Sequence, residues 1–246
     1  MGRAKEITVK VIPAKVATEF VEKHHYSGRV VNNSSLHFGA FLDGKLHGVM
    51  SFGSPMDKRK VLPLVQPSPW NGMLELNRMA FDDYLPRNSE SRCISIAIRL
   101  IRKNAPHIKW ILSFSDGTQC GDGTIYRASG FVLTGVSVNR TIYVFPNGET
   151  IADIAWNSAT PAAQKKYAQR LGIPEPDLGC FLSRNAKKAG GRRMEGFQLR
   201  YIYLIDKACK ITVPILPFSK IDELGAGMYR GEKSAVIERK LNAQMG

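Results

Sequence analysis

Apolar and polar positions alternate as a β-strand over Ile7-Thr-Val-Lys-Val-Ile12. Pro13 then opens a helix from Ala14 to about Lys23, with Val16, Phe20 and Val21 at helical spacing. The polar stretch His24-His25-Tyr26-Ser27-Gly28-Arg29 breaks the pattern. Residues 36–42 and 46–52 flank Asp43-Gly44, whose turn chemistry predicts a β-hairpin. A connection rich in proline (Pro55, Pro63, Pro67, Pro69) leads to a strand over 73–80. Residues 86–91 read as a loop and cap, followed by a helix over about 89–103. That helix is apolar almost all round and is expected to be buried.

The second half repeats these signals. An apolar strand over 109–114 runs into Ser115-Asp116-Gly117-Thr118-Gln119, polar residues read as unable to continue it. A short helix near 124–129 and a strand over 131–136 follow. Thr141 to Phe145, with the Pro146-Asn147-Gly148 turn, reads as another hairpin. Residues 160–171 form a helix with Thr160 as cap and Pro161 at its first position. Residues 174–196 are expected to be loop-rich and basic, ahead of a strongly patterned strand over 198–205. The order β-α-β-β-β-α-β-α-β predicts the α/β (α+β) class, a mixed sheet with helices on both faces. Residues 1–206 make one expected domain with an insertion at about 146–197, and 207–246 a basic, peripheral C-terminal extension.

With 246 residues and 43% hydrophobic content, the chain can bury one substantial core, or one core plus a lobe. No apolar run reaches the ~20 residues that span a bilayer, and the first six residues lack a signal peptide's apolar stretch. Four separated cysteines with no CxxC pair read as reduced thiols, Cys93 within a buried helix. Together these features indicate a soluble, cytoplasmic protein. Thirty-five Lys and Arg against 21 Asp and Glu give a net charge of +14. Such an excess implies a polyanionic partner, nucleic acid first, against the plainer alternative of a generally basic protein. Clustering favours the former. Arg29, Arg59, Lys60, Lys187, Lys188, Arg192 and Arg193, on loops read as flexible, are the candidates for phosphate contacts.

A strand that delivers serine, acid and amide to its carboxyl end is where α/β proteins place ligands, which singles out Asp116. Arg78, among Leu76, Met79 and Phe81, either pairs with Glu75 or Asp82 or clamps an anion. Arg87, Ser89, Ser91 and Arg92 lie at a predicted helix start, where free backbone N–H groups attract a cofactor's phosphates. Capping alone would account for Asn88 and Ser89.

Tyr126-Arg-Ala-Ser-Gly-Phe131, within this element order, resembles the Gcn5-related N-acyltransferase fold. Four segments together look like the phage Mu Mom family of DNA-modifying proteins. They are His24-His25-Tyr26-Ser27-Gly28, Glu75-Leu76-Asn77-Arg78-Met79, Ser113-Phe114-Ser115-Asp116-Gly117 and Ile125-Tyr126-Arg127-Ala128-Ser129-Gly130-Phe131. The resemblance implies a transferase that converts adenine in DNA to N6-carbamoylmethyladenine and shields phage DNA from host restriction. It implies iron held by Tyr26 and Asp116, with His25 a possible third ligand. His25, Ser27, Arg78, Ser91 and Tyr126 are the other functional positions it carries over. On the residues alone, Tyr26 could instead cover a core edge and Asp116 cap the next helix, or Asp116 could act as general base.

Residues 84–92 contain no glycine, whereas the pyrophosphate loop of ordinary acyltransferases needs it for close backbone approach. This argues against acetyl-CoA as the acyl donor. Reaching the amine of a paired adenine requires the base to leave the stack, with Tyr26, Phe52, Trp70 and Tyr126 as candidate aromatic walls. Two rival readings remain: a conventional acyl-CoA-dependent N-acyltransferase for a protein or small amine, and a DNA-binding protein without catalysis.

Overall fold

The computed structural model describes residues 3–25, 27, 30–118, 121–229 and 232–233. The chain divides into two compact units. The first comprises Met1–Ser115, Gly123–Gly135 and Leu199–Lys220; the second comprises Asp116–Asp122, Val136–Gln198 and Ile221–Gly246.

In the first unit, β1 (Thr8–Val11) leads through Pro13 into α1 (Ala14–His24). β2 (Ser34–Leu42) and β3 (Lys45–Gly53) form the expected hairpin. Asp43 and Gly44 take φ of 50° and 74°, the left-handed pair that a two-residue hairpin turn demands. α2 (Lys58–Val61) and β4 (Val65–Gln66) occupy the proline-rich connection, which the hydrophobic pattern did not resolve into elements. β5 (Met73–Phe81), α3 (Ser89–Asn104) and β6 (Trp110–Asp116) follow, then α4 (Thr124–Ala128) and β7 (Val132–Val138).

Seven strands make one mixed sheet in the order β1-β2-β3-β5-β6-β11-β7. β11 (Phe197–Leu204) thus returns from late in the chain to lie between β6 and β7. β5 and β6 are parallel, so a crossover must join them, and α3 supplies it. α1 buries Ala17, Phe20 and Val21 against Val49 and Ala80 of the sheet. Elsewhere Leu64, Val65, Met73, Trp110, Leu112, Ile202 and Cys209 close a second cluster. It lies where β4 pairs with β12 (Lys210–Ile211).

Two irregularities shape this sheet. Ser51 pairs with Arg78 and Phe52 with Leu76, so Asn77 is an extra residue on β5, a β-bulge. Rungs alternate faces; Glu75 and Arg78, three residues apart, therefore share the face of Ser51, Val49 and Ala80, on which α1 packs. The second irregularity is a split. β5 and β6 pair from Met73↔Trp110 to Leu76↔Ser113, after which β5 runs on to Phe81 and β6 to Asp116. Ser113 is fully buried, and its hydroxyl donates to the Leu76 carbonyl at 3.0 Å where the ladder ends.

The second unit holds β8 (Ile142–Val144), β9 (Thr150–Ala152) and β10 (Arg192–Arg193) in a small sheet of order β10-β8-β9. Around it lie α5 (Asp153–Asn157), α6 (Pro161–Leu171) and α7 (Leu182–Lys188). Tyr143, Phe145, Ile151, Trp156, Leu171 and Leu182 form its core. α6 starts as the sequence predicts: the Thr160 hydroxyl accepts from the Ala163 N–H at 3.3 Å, with Pro161 in the first turn.

Several expectations need correction. The polar residues Ser115 and Asp116 do continue β6, whose place beside β11 supplies the strand with a neighbour. α3 is not buried all round: Cys93, Ile94, Ala97, Ile98 and Ile101 make one buried stripe, while Ser95, Arg99, Arg102 and Lys103 are exposed. The 174–196 stretch is loop-rich as expected, but it also carries the unforeseen helix α7. Leu182, Asn185 and Ala186 bury one face of α7, and the Asn185 side chain accepts from the Asp177 N–H at 2.8 Å. Among the described residues no helix is long and apolar enough to cross a membrane.

Candidate functional site

α1 ends at His24, and the chain turns at His25, whose backbone N–H still donates to the Val21 carbonyl at 2.9 Å. The turn then folds the backbone onto the imidazole. Ser27 donates its N–H to His25 Nδ1 at 3.1 Å, with its hydroxyl 2.8 Å from the same nitrogen. An acceptor role for Nδ1 leaves the ring proton on Nε2. Burial, then the nearby Arg78 charge, pushes the His25 pKa down to about 3, so the ring is a neutral hydrogen-bond donor at physiological pH. Tyr26 and Arg29 lie outside the described residues.

Arg78 arrives from β5. One of its guanidinium nitrogens donates to the Asn77 carbonyl at 2.9 Å, and its charge acts on both His25 and Glu75. Glu75 is half-buried, and desolvation raises its carboxyl to about 7 despite the opposing pull of Arg78. The other carboxylate weighed for Arg78, Asp82, is held by His47 at 2.8 Å. Asn77, the bulge residue, accepts from the Ser34 hydroxyl at 2.8 Å. Gly53, paired with both Ser34 and Glu75, must lack a side chain here: a Cβ would lie 1.9 Å from the Asn33 carbonyl oxygen. On the same face the buried His37 has Nδ1 2.8 Å from the Ser51 hydroxyl, and burial lowers its pKa. His25, Ser27, Glu75 and Arg78 thus form one electrostatically linked cluster between the end of α1 and the sheet. Glu75 was absent from the sequence-derived site. Its segment matched, but the bulge that turns it toward Arg78's face has no signature in the residue pattern.

A second grouping lies at the start of α3. Asn88 adopts a left-handed φ of 68° and offers no side-chain cap. The Ser89 hydroxyl donates backward to the Pro86 carbonyl, so neither expected residue caps the helix. The Ser91 hydroxyl donates to the Asn88 carbonyl at 3.2 Å, while the Ser129 hydroxyl lies 3.5 Å from the Ser91 carbonyl, linking α3 to α4. Arg87 is exposed, and Arg92 is half-buried with a guanidinium N–H donated to the Lys5 carbonyl at 3.4 Å. Tyr126 is buried on α4 between Phe131 and Tyr201, with ring centroids 5.6 and 5.3 Å away. Phe52 is fully buried against Phe38 and cannot wall a cleft.

Asp116 belongs to the second unit. Its Oδ1 accepts from the Thr118 N–H at 3.0 Å, closing a turn; the following helix takes Gly123, not Asp116, at its N-cap. Among the described residues no group of three or more His, Cys, Asp or Glu could hold a metal ion.

The expected phosphate-binding cations are placed variously. Arg59 and Lys60 lie on α2, Lys60 paired with Asp57 at 3.1 Å. Lys188 is bound to Asp177 at 2.8 Å, and Arg193 lies 3.5 Å from Asp153 and over the Tyr143 ring. Lys187 and Arg192 are exposed on α7 and β10. All six sit on regular elements and not on loops.

Solved acyltransferases show a partial likeness. The ribosomal-protein-S18-alanine N-acetyltransferase of Escherichia coli superposes with a TM-score of 0.44 at 9% identity, over 81% of this chain and 94% of its own. A GNAT family acetyltransferase from Elizabethkingia anophelis with acetyl-CoA bound gives 0.43 at 12%, over 80% and 97%. In sequence, the methylcarbamoylase mom of Escherichia phage Mu is 36% identical over 208 residues, 84% of this chain and 79% of that protein. The family model described as Mom protein family matches residues 6–220, a span that takes in the His25, Glu75, Arg78 and Asp116 segments. The chain therefore belongs to the Mom protein family.

Proposed function

We propose that this protein is a transferase that modifies adenine in DNA, placing a carbamoylmethyl group on N6. The observation that carries this reading is the cluster of His25, Glu75 and Arg78, which lies within the span matched by the Mom family model. The reaction replaces one N6 hydrogen by carbon. As the nitrogen–carbon bond forms, the donor's bond to its leaving group breaks with both electrons, and the N6 proton must go to a base. Glu75, titrating at about 7, is half in its accepting form at neutral pH and is assigned that role. Arg78, beside it, holds negative charge on the donor or on the departing group. His25, neutral and with its proton on Nε2, donates a hydrogen bond to a substrate oxygen or ring nitrogen; its depressed pKa rules it out as the acid.

The excess of positive charge supports DNA as the partner. Exposed Arg59, Lys187 and Arg192 are assigned to phosphates, together with Arg29; Lys60, Lys188 and Arg193 are already engaged with carboxylates. The uncapped start of α3, with Arg87, Ser89, Ser91 and Arg92, is assigned to an anionic part of the donor, whose identity stays open. Ser91 and Tyr126 lie on the adjoining α3 and α4, respectively. Asp116 and Tyr26 keep their assigned places in the site by resemblance, and no step is routed through a metal. Residues 1–206 are taken as the transferase domain, 146–197 as its insertion and 207–246 as its extension.

The test is mass spectrometry of nucleosides from DNA of cells expressing the protein. A new adenosine derivative carrying the carbamoylmethyl mass supports the assignment. Unmodified nucleosides beside abundant folded protein contradict it.

A further inference from the structure

Trp70 stands apart from the other two tryptophans. Trp110 and Trp156 are fully buried, whereas Trp70 is 56% exposed. It ends a Pro67-Ser68-Pro69 segment whose backbone is fixed by the Gly72 N–H donating to the Pro69 carbonyl at 2.8 Å. The Lys58 ammonium lies 5.2 Å from its ring centroid, and Arg59 and Lys60 follow Lys58 on α2. Two residues before Trp70 in the chain, Ser68 helps line an open groove of about 710 Å³, with Leu62, Pro63, Gln66, Pro67 and Lys210. Two contacts tie the groove floor to β6 and β12. Trp110 Nε1 donates to the Ser68 hydroxyl at 2.8 Å, and Lys210 faces Gln66 across the β4–β12 pair.

Chain order places this surface relative to the cluster. The 54–72 segment leaves β3 at Gly53, the residue paired with Glu75, and returns to β5 at Met73. It leaves at the end of the hairpin where the chain from His25 enters β2. Asn33 and Ser54 fasten the two segments: the Ser54 N–H donates to the Asn33 carbonyl at 3.2 Å, and the Asn33 amide returns a bond to the Ser54 carbonyl. The α3 start follows the opposite end of β5, after Phe81. Donor anion and acceptor would therefore approach β5 from its two ends.

We infer that α2, Trp70 and the adjoining groove form the surface that grips the DNA strand next to the modified adenine. Trp70 stacks on an unpaired or displaced base, and Lys58, Arg59 and Lys210 meet the phosphates. An indole face stacks on any base, so the surface suits a strand with its bases splayed, which is the state that attack on N6 requires. Cationic side chains around an exposed ring exclude an apolar protein segment as the favoured occupant and match a polyanion. The inference rests on the DNA-modification reading but makes separate demands.

Trp70 can be watched directly, because the two other indoles are shielded from solvent. The probes are a short single-stranded oligonucleotide and the corresponding duplex, titrated against the full chain. Single strand should quench the exposed tryptophan and protect it from acrylamide. Trp70→Ala should weaken single-strand binding roughly tenfold or more, Trp70→Phe should restore most of it, and duplex affinity should fall less. Arg59→Glu should weaken both. Far-ultraviolet circular dichroism should be unchanged, since Trp70 is outside the core. Wild-type affinity in Trp70→Ala, or acrylamide access unaffected by DNA, overturns the inference even if modified adenosine is found. Quenching and protection with no modified adenosine would uphold this surface while removing the transferase reading. Quenching by an acidic peptide but not by DNA would assign the surface to a protein and overturn the inference.

Discussion

Burial raises the Glu75 carboxyl to about 7 against the pull of Arg78, and the same shift sets a cost in stability. Between about 4.5, its ordinary value, and about 7 the folded chain holds the proton more tightly than the unfolded chain. Stability from this group is therefore undiminished below the lower value and declines as pH rises through that window. Glu75→Gln removes the titration. Thermal melts should show the variant more stable than wild type at about pH 8, by up to about 3 kcal/mol, with the difference vanishing near pH 4. His25 works with the opposite sign: below about 6.5 the unfolded chain gains a proton that the folded ring refuses until about 3, so acid weakens the fold. Sequence segments drew attention to His25 and Arg78, but not to the proximity of Glu75. Residues three apart on a regular strand face opposite sides, and only the bulge at Asn77 unites them.

At the level of elements, the site depends on how closely β2, β3 and β5 approach near Gly53. A methyl group at that position would meet backbone, the Asn33 carbonyl carbon and oxygen, which cannot swing aside as a flexible side chain would. Gly53→Ala should cost about 2–4 kcal/mol, read as a lowered urea midpoint with an unchanged slope. Hairpin, α1, the 89–104 helix and α6 were legible because period and turn residues agreed there; Asp43-Gly44 and Thr160-Pro161 are clear local signals. α7 was missed since its buried face is short and includes Asn185, whose burial depends on partners at Asp177 that no local pattern reveals. β6 outran its apolar run for a related reason: a strand continues while a neighbour lies beside it, whatever its residues' polarity.

For the molecule as a whole, charge was the most readable property and the least local. A net +14 on 246 residues points to a polyanion, and some of the candidate cations also pair with carboxylates, as at Lys188 and Arg193. Cations left exposed should govern the salt dependence of DNA binding. Arg59→Ala should lower the slope of log affinity against log salt by about one, while Lys188→Ala should change it little. The match to the Mom protein family extends over residues 6–220, most of the chain.

The most direct test compares modified adenosine in DNA from cells expressing wild type and Glu75→Gln, with soluble folded protein verified in both. The account predicts a carbamoylmethyl derivative of adenosine from wild type and its near-complete loss from a variant that melts no lower. Equal amounts from both, at equal protein levels, would contradict the assignment of Glu75 as the base that accepts the N6 proton.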